Sequence, residues 1–232
     1  MSDLTGETVE LLQAMIRNEC VNDGTAESGF ERRSSDTLEA FLGTTGLEVQ
    51  RFEPTPGRAS LVVRIDGTDR DAPSLCLMGH TDVVGVQREK WSVDPFAAVR
   101  KDGYIWGRGT GDDKDNATAG LMLLLLLKRQ GVKLDRDVIF LAEGGEEGYS
   151  PTGVRYVIPN HWKEIDAEFV LAEGGGGLIK DGKVLYISVA TSEKVRLEVQ
   201  LIARGTAGHG SIPRPDSAVV RLANAISRIA AR

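Results

Sequence analysis

Apolar positions recur at helical spacing over residues 8–19, where Val9, Leu11, Leu12, Met15 and Ile16 make one stripe. A second helix is predicted to open at Ser34-Ser35-Asp36, residue types that suit a helix start, and to carry Leu38, Phe41 and Leu42. Between them, CVNDGTAESG reads as a polar, glycine-rich loop. Leu47 to Phe52 and Ala59 to Ile65 read as neighbouring strands, the second followed by the turn Asp66-Gly67. Ser74 to Gly79 is a short apolar run, an inner strand that leads straight into His80-Thr81-Asp82. Gly103 to Gly107 is another short strand. Asp115 to Arg129, with LMLLLLL in its body, reads as a buried helix closed by Gly131. Asp137 to Ala142 is a strand ending at Glu143, residues 149–160 are partly helical, and Ala167 to Ala172 is a strand ending at Glu173.

Strands and helices alternate through this stretch, which predicts an α/β fold with a mostly parallel central sheet and helices on both faces. Sites in such folds lie where strands give way to loops at their carboxyl ends. His80, Glu146-Glu147 and Glu173 all follow apolar runs in that manner. After Gly182 the pattern changes. Val184 to Val189 and Lys194 to Ile202 read as strands, a glycine-rich turn carries His209, and Asp216 to Ala231 reads as an apolar-striped helix. This is the opening of a second, α+β unit. No internal repeat is evident.

Composition narrows the classes. The chain has 232 residues, 41% of them apolar and 27% charged, an ordinary globular mix with room for one sizeable core. A net charge of -6 argues against nucleic acid and anionic membrane as partners. Two cysteines, Cys20 and Cys76, make no disulfide framework and no metal knuckle, and two buried thiols are expected. The first residues are polar and acidic, and the longest apolar run is too short to span a bilayer, so a cytoplasmic protein is expected.

Four polar clusters could carry chemistry. In His80-Thr81-Asp82 the two outer side chains point the same way in extended chain, so the aspartate can orient the ring or share an ion with it. A His–Asp pair without a metal is the plainer alternative. In GRGTGDDK at 107–114, three alternating glycines precede two adjacent acids at the mouth of an apolar helix, where carboxylates need neutralising. An anion-cradling loop or a simple helix cap would use similar residues. The turn at 143–148 (EGGEEG) offers adjacent carboxylates for two roles, ligand and base, or a solvated acidic turn. Glu173 precedes four glycines that allow close backbone approach or simply a flexible loop. Together, one histidine and several carboxylates suit a divalent ion such as zinc, with cobalt or manganese as substitutes.

The ordered set GHTDVV (79–84), WSVDPF (91–96), DGYIWGRGTGDDK (102–114), EEG (146–148), LAEGG (171–175) and GTAGHGSIP (205–213) resembles the family of aminoacylases, glutamate carboxypeptidases, succinyl-diaminopimelate desuccinylases and carnosinase-like dipeptidases. The resemblance implies a three-layer zinc-peptidase-like catalytic domain, here 1–190, followed by the start of an inserted lid and dimerisation domain, here 191–232. It implies hydrolysis of an amide bond in a small peptide or N-acyl amino acid by a two-metal-activated water. His80, Asp112, Glu147 and Glu173 are the implied metal ligands, with Asp112 bridging two ions. Glu146 is the implied general base, Asp82 the carboxylate that orients His80, and His209 a lid histidine that donates to the oxyanion in a partner subunit's site. The Asp112-Asp113 bond matches a position where the family has a non-proline cis peptide, and Asp113 stands where many members carry Met. A homodimer through the lid is also implied. The family's last metal ligand, a histidine, and the basic clamp for the substrate carboxylate belong to a segment beyond these 232 residues. A weakly active or inactive fragment is therefore expected.

Overall fold

The fold is that of a computed structural model, and the structure describes residues 3–69, 71–148, 151–189, 191–192, 197, 199–212 and 214–231. The chain divides into two compact units, Met1–Gly174 and Gly175–Arg232.

The first unit is built on a five-stranded sheet. Its strands are β1 (Val49–Thr55), β2 (Arg58–Ile65), β3 (Leu75–His80), β6 (Val138–Glu143) and β7 (Phe169–Leu171), in the order β1-β2-β6-β3-β7. The pairs β3·β6 and β3·β7 are parallel, and β1·β2 and β2·β6 are antiparallel. The parallel half carries the polar clusters. In a separate hairpin, β5 (Tyr104–Trp106), the short strand read over Gly103 to Gly107, pairs with β4 (Val99–Lys101).

Period-two alternation sends the strand side chains to two faces. Leu61, Val63, Leu77 and Phe140 meet α1 (Leu4–Arg17), α2 (Arg32–Leu42) and α3 (Lys114–Arg129) in one apolar cluster. Val62, Cys76, Ile139 and Leu141 meet Val157 and Ile165 of α4 (Val154–Ile165) in the other. This gives three layers: helices, sheet, helix. The leucine run resolves into a helical stripe, with Leu121, Met122, Leu124 and Leu125 buried and Leu123 exposed. Both cysteines are buried and free.

The start of α2 departs from expectation. Ser34 and Ser35 do not cap the helix; it begins at Arg32 and the two serines point inward. The Ser34 hydroxyl lies 3.3 Å from Cys20 Sγ, and Ser35 Oγ donates to the Ala59 carbonyl at 3.4 Å, so both hydroxyls serve tertiary contacts.

The second unit holds the hairpin β8 (Gly176–Lys180) and β9 (Lys183–Ser188), and helix α5 (Ala218–Ala230). The glycine run at 174–177 therefore leads into a strand instead of forming a loop. The hairpin turns at Asp181-Gly182, both at positive φ. Of the strand expected over Lys194 to Ile202, residues 194–196 and 198 lie outside the described residues, and the others belong to no strand. No described residue of this unit is buried. Among the described residues, no helix is long and apolar enough to cross a membrane.

Candidate active site

β3 and β6 run in register, with His80 opposite Glu143, so the loops after both strands start at one level of the sheet. β7 lies on the other side of β3 and ends two residues before Glu173. Helix α3 begins just after Asp112-Asp113. Four chain segments thus converge at the carboxyl ends of parallel strands.

His80 is the centre of this convergence, and its side chain is 2% exposed. Nδ1 lies 3.0 Å from the Asp82 carbonyl oxygen, which can only accept, so that nitrogen carries the hydrogen. Nε2 then faces Asp112 Oδ1 at 3.1 Å, Glu173 Oε2 at 3.4 Å and Glu146 Oε2 at 3.9 Å. Burial opposes charge on the ring, but Asp82, Asp113 and Glu146 outweigh it and raise the His80 pKa to about 10. The pocket therefore favours positive charge at Nε2, whether a proton or a cation.

The residues present fit a metal. One ligand atom each from His80, Asp112 and Glu173 lie within 4.8 Å of one another. One imidazole and two carboxylates match the donor set of a catalytic zinc-type ion. Glu147 is not a member of that group of three. Its Oε1 accepts from the Val84 amide at 3.3 Å, and burial and nearby Asp112 raise its pKa. Burial likewise raises the pKa of Glu146.

Asp82 is fully buried and accepts four hydrogen bonds besides facing the ring. The Gly145 and Glu146 amides donate to Oδ1 at 3.0 and 3.1 Å; the Glu147 amide and Asn22 Nδ2 donate to Oδ2 at 3.0 and 2.7 Å. Burial alone would raise its pKa, but the His80 and Asn22 side chains and the Glu147 amide bring it to about 2. Asp82 thus holds the backbone of the turn that carries Glu146 and Glu147 as well as the ring of His80.

Asp112-Asp113 is a cis peptide. Asp113, given no role from the sequence, is buried and accepts from the His80 amide at 3.0 Å and from the Asn116 side-chain amide. Burial raises its pKa to about 6. Lys114 is fully buried and donates to the Met15 carbonyl at 2.7 Å, tying the head of α3 to α1. Glu143 is buried below the turn. Its Oε1 accepts from the Val154 amide at 2.8 Å, its Oε2 has no hydrogen-bond partner among the described residues, and burial pushes its pKa to about 7.

Six of the seven residues singled out from the sequence, His80, Asp82, Asp112, Glu146, Glu147 and Glu173, lie together in the first unit. His209 lies in the second unit, exposed, with Nδ1 2.8 Å from Ser211 Oγ. Sequence reasoning missed Asn22, which sits in a loop sixty positions before its partner Asp82 and shows no local signal.

A family model described as peptidase family M20/M25/M40 matches residues 76–229. The chain is 35% identical over 170 residues to the human N-fatty-acyl-amino acid synthase/hydrolase PM20D1, covering 71% of this chain and 34% of that protein. It is 32% identical over 196 residues to mouse aminoacylase-1, covering 84% of this chain and 47% of that protein. The chain therefore spans a third to a half of the length of these relatives. Among solved structures, the M20 family metallo-carboxypeptidase Sso-CP2 from Sulfolobus solfataricus superposes with a TM-score of 0.60 at 22% identity, over 76% of this chain and 38% of that one. A family match across most of the chain, and a fold shared with a solved member, agree with the ordered residues around His80: the chain belongs to peptidase family M20/M25/M40.

Proposed function

We propose that this chain supplies the hydrolytic half-site of an amidohydrolase acting on small peptides or N-acyl amino acids. The observation that carries the reading is the His80 ring, fixed at Nδ1 and aimed through Nε2 at Asp112, Glu146 and Glu173. His80, Asp112, Glu147 and Glu173 would hold two divalent ions, zinc first, with Asp112 shared between them. When bound, the ions lower the pKa of water and polarise the scissile carbonyl.

The chain's own residues do the rest. Glu146 takes the proton of the attacking water and hands it to the leaving amine. Its raised pKa brings it nearer to the working pH than a free carboxylate. Asp82 keeps Nδ1 of His80 facing inward and fixes the turn beneath Glu146. His209 is assigned to the oxyanion, and 191–232 to a lid that pairs in a homodimer.

Ion content and turnover of the 232-residue chain test the assignment. After equilibration with a small excess of zinc, Glu146→Gln should keep its ions and lose turnover of dipeptides or N-acyl amino acids by about 100-fold or more. Asp112→Ala should lose both ions. Both ions retained in Asp112→Ala, or undiminished hydrolysis in Glu146→Gln, would overturn these roles.

A further inference from the structure

The turn that presents Glu146 and Glu147 is not held by its own strand. Three consecutive amides, those of Gly145, Glu146 and Glu147, converge on the Asp82 carboxylate, and the fourth donor comes from Asn22 in the loop after α1. Asn22 is 4% exposed and its amide is committed at both ends. Nδ2 donates to Asp82 Oδ2 at 2.7 Å, and Oδ1 accepts from the Gly24 amide at 2.9 Å.

The loop that carries Asn22 is itself fixed. The Asn22 amide donates to the Val83 carbonyl at 2.9 Å, and the Val83 amide donates to the Cys20 carbonyl at 3.0 Å, so the two segments run side by side. Arg58 Nη1 donates to the Thr25 carbonyl at 2.8 Å, while the same guanidinium makes a bidentate pair with Glu31 at 2.7 and 2.8 Å. Both members of that pair are fully buried. The fit against the catalytic turn is close: a Cβ at Gly148 would stand 2.7 Å from Asn22 Oδ1 and 2.9 Å from the Gly24 nitrogen.

We propose that Asn22 is a positioning residue that holds, through Asp82, the turn bearing Glu146 and Glu147. Its importance for catalysis rests on the two-ion reading above; its hold on the turn does not. The amide is the group the site requires, because one side chain must donate to a carboxylate and accept from a backbone N–H at once. An aspartate at this position keeps the acceptor for Gly24, loses the donor, and faces Asp82 with like charge.

The test is amide hydrogen exchange, read by NMR on the full 232-residue chain without metal, for the wild type, Asn22→Asp and Asn22→Ala. Exchange at Gly145, Glu146 and Glu147 should quicken about tenfold or more in Asn22→Asp, and in the same direction in Asn22→Ala, which adds no charge. The Val83 amide and those of β6 should keep their protection. Zinc affinity should fall about 10- to 100-fold, the range expected for a group that supports a ligand from behind, with a changed absorption spectrum of the cobalt form. Unchanged exchange at 145–147 in both variants overturns the proposal, whatever the zinc result. Quickened exchange in a chain whose wild type takes up no zinc upholds it and removes the two-ion reading instead.

Discussion

Glu143 and Asp82 are both buried carboxyls, and they respond to acid in opposite ways. Asp82, with its pKa brought to about 2, stabilises the fold above the ordinary carboxylate range, and that contribution is lost as pH falls toward 2. Glu143, raised from 4.5 to about 7, favours the fold while protonated. Its contribution is complete below about 4.5 and is lost as pH rises through 7, a difference on the order of 3 kcal/mol. Glu143→Gln keeps an acceptor for Val154 and cannot ionise. Its melting temperature without metal should therefore lose part of the decline seen between pH 5 and 7 in the wild type, the rest belonging to Asp113, whose pKa burial raises to about 6, and to the raised Glu146 and Glu147; an unchanged decline would place the titration elsewhere. Above pH 7 a decline should persist in both proteins, because the raised pKa of His80 adds its own loss as pH climbs from 6.5 through about 10. At this scale, His80, Asp112, Glu146, Glu147 and Glu173 were legible because they follow apolar runs or glycine turns in a recognisable order. Asn22 and Asp113 were not, because their partners, Asp82 and the His80 amide, are assigned by tertiary pairing that no local spacing announces.

Among elements, the crossing of α3 over β3 does the most to place the site. Gly79 makes it close: a Cβ there would stand 2.6 Å from the backbone nitrogen of Ala117. Backbone cannot swing aside as a side chain can, so Gly79→Ala should cost about 1–3 kcal/mol of unfolding free energy as the helix is pushed off the strand. Urea denaturation measures this, and a neutral result would show that the crossing has slack. The same displacement would part Asp112, at the head of α3, from His80, at the end of β3. These two elements were readable because each has strong periodicity and a clear stop. The start of α2 was not, since Ser34 and Ser35 serve Cys20 and Ala59 across the core instead of the helix end. The hairpin β8–β9 was half hidden for another reason: its first strand begins with Gly176 and Gly177, which carry no side chains to show a period.

For the molecule as a whole, both apolar clusters and six of the seven singled-out residues belong to the first unit, which therefore has the means to fold around the site. The alternation of strands and helices announced its α/β layers, and β1 and β2 were already legible as neighbouring strands. The supports of the site are unequal, however. His80 ends an inner strand and Asp112 precedes a buried helix, whereas Glu173 hangs from β7, the last strand of the sheet among the described residues. β7 has three residues, and Phe169, Val170 and Leu171 are each more than half exposed. A ligand on such a strand is in place only for the fraction of time the strand keeps its pairing with β3, and the apparent affinity for an ion is the intrinsic one reduced by that fraction. Under the proposed ligand set, zinc and the edge of the sheet would be thermodynamically linked: the Val170 amide should exchange more slowly when zinc is added, and equal rates would show that β7 is already locked. By reciprocity, whatever braces the open side of β7 would tighten the proposed site's hold on an ion without touching a single ligand.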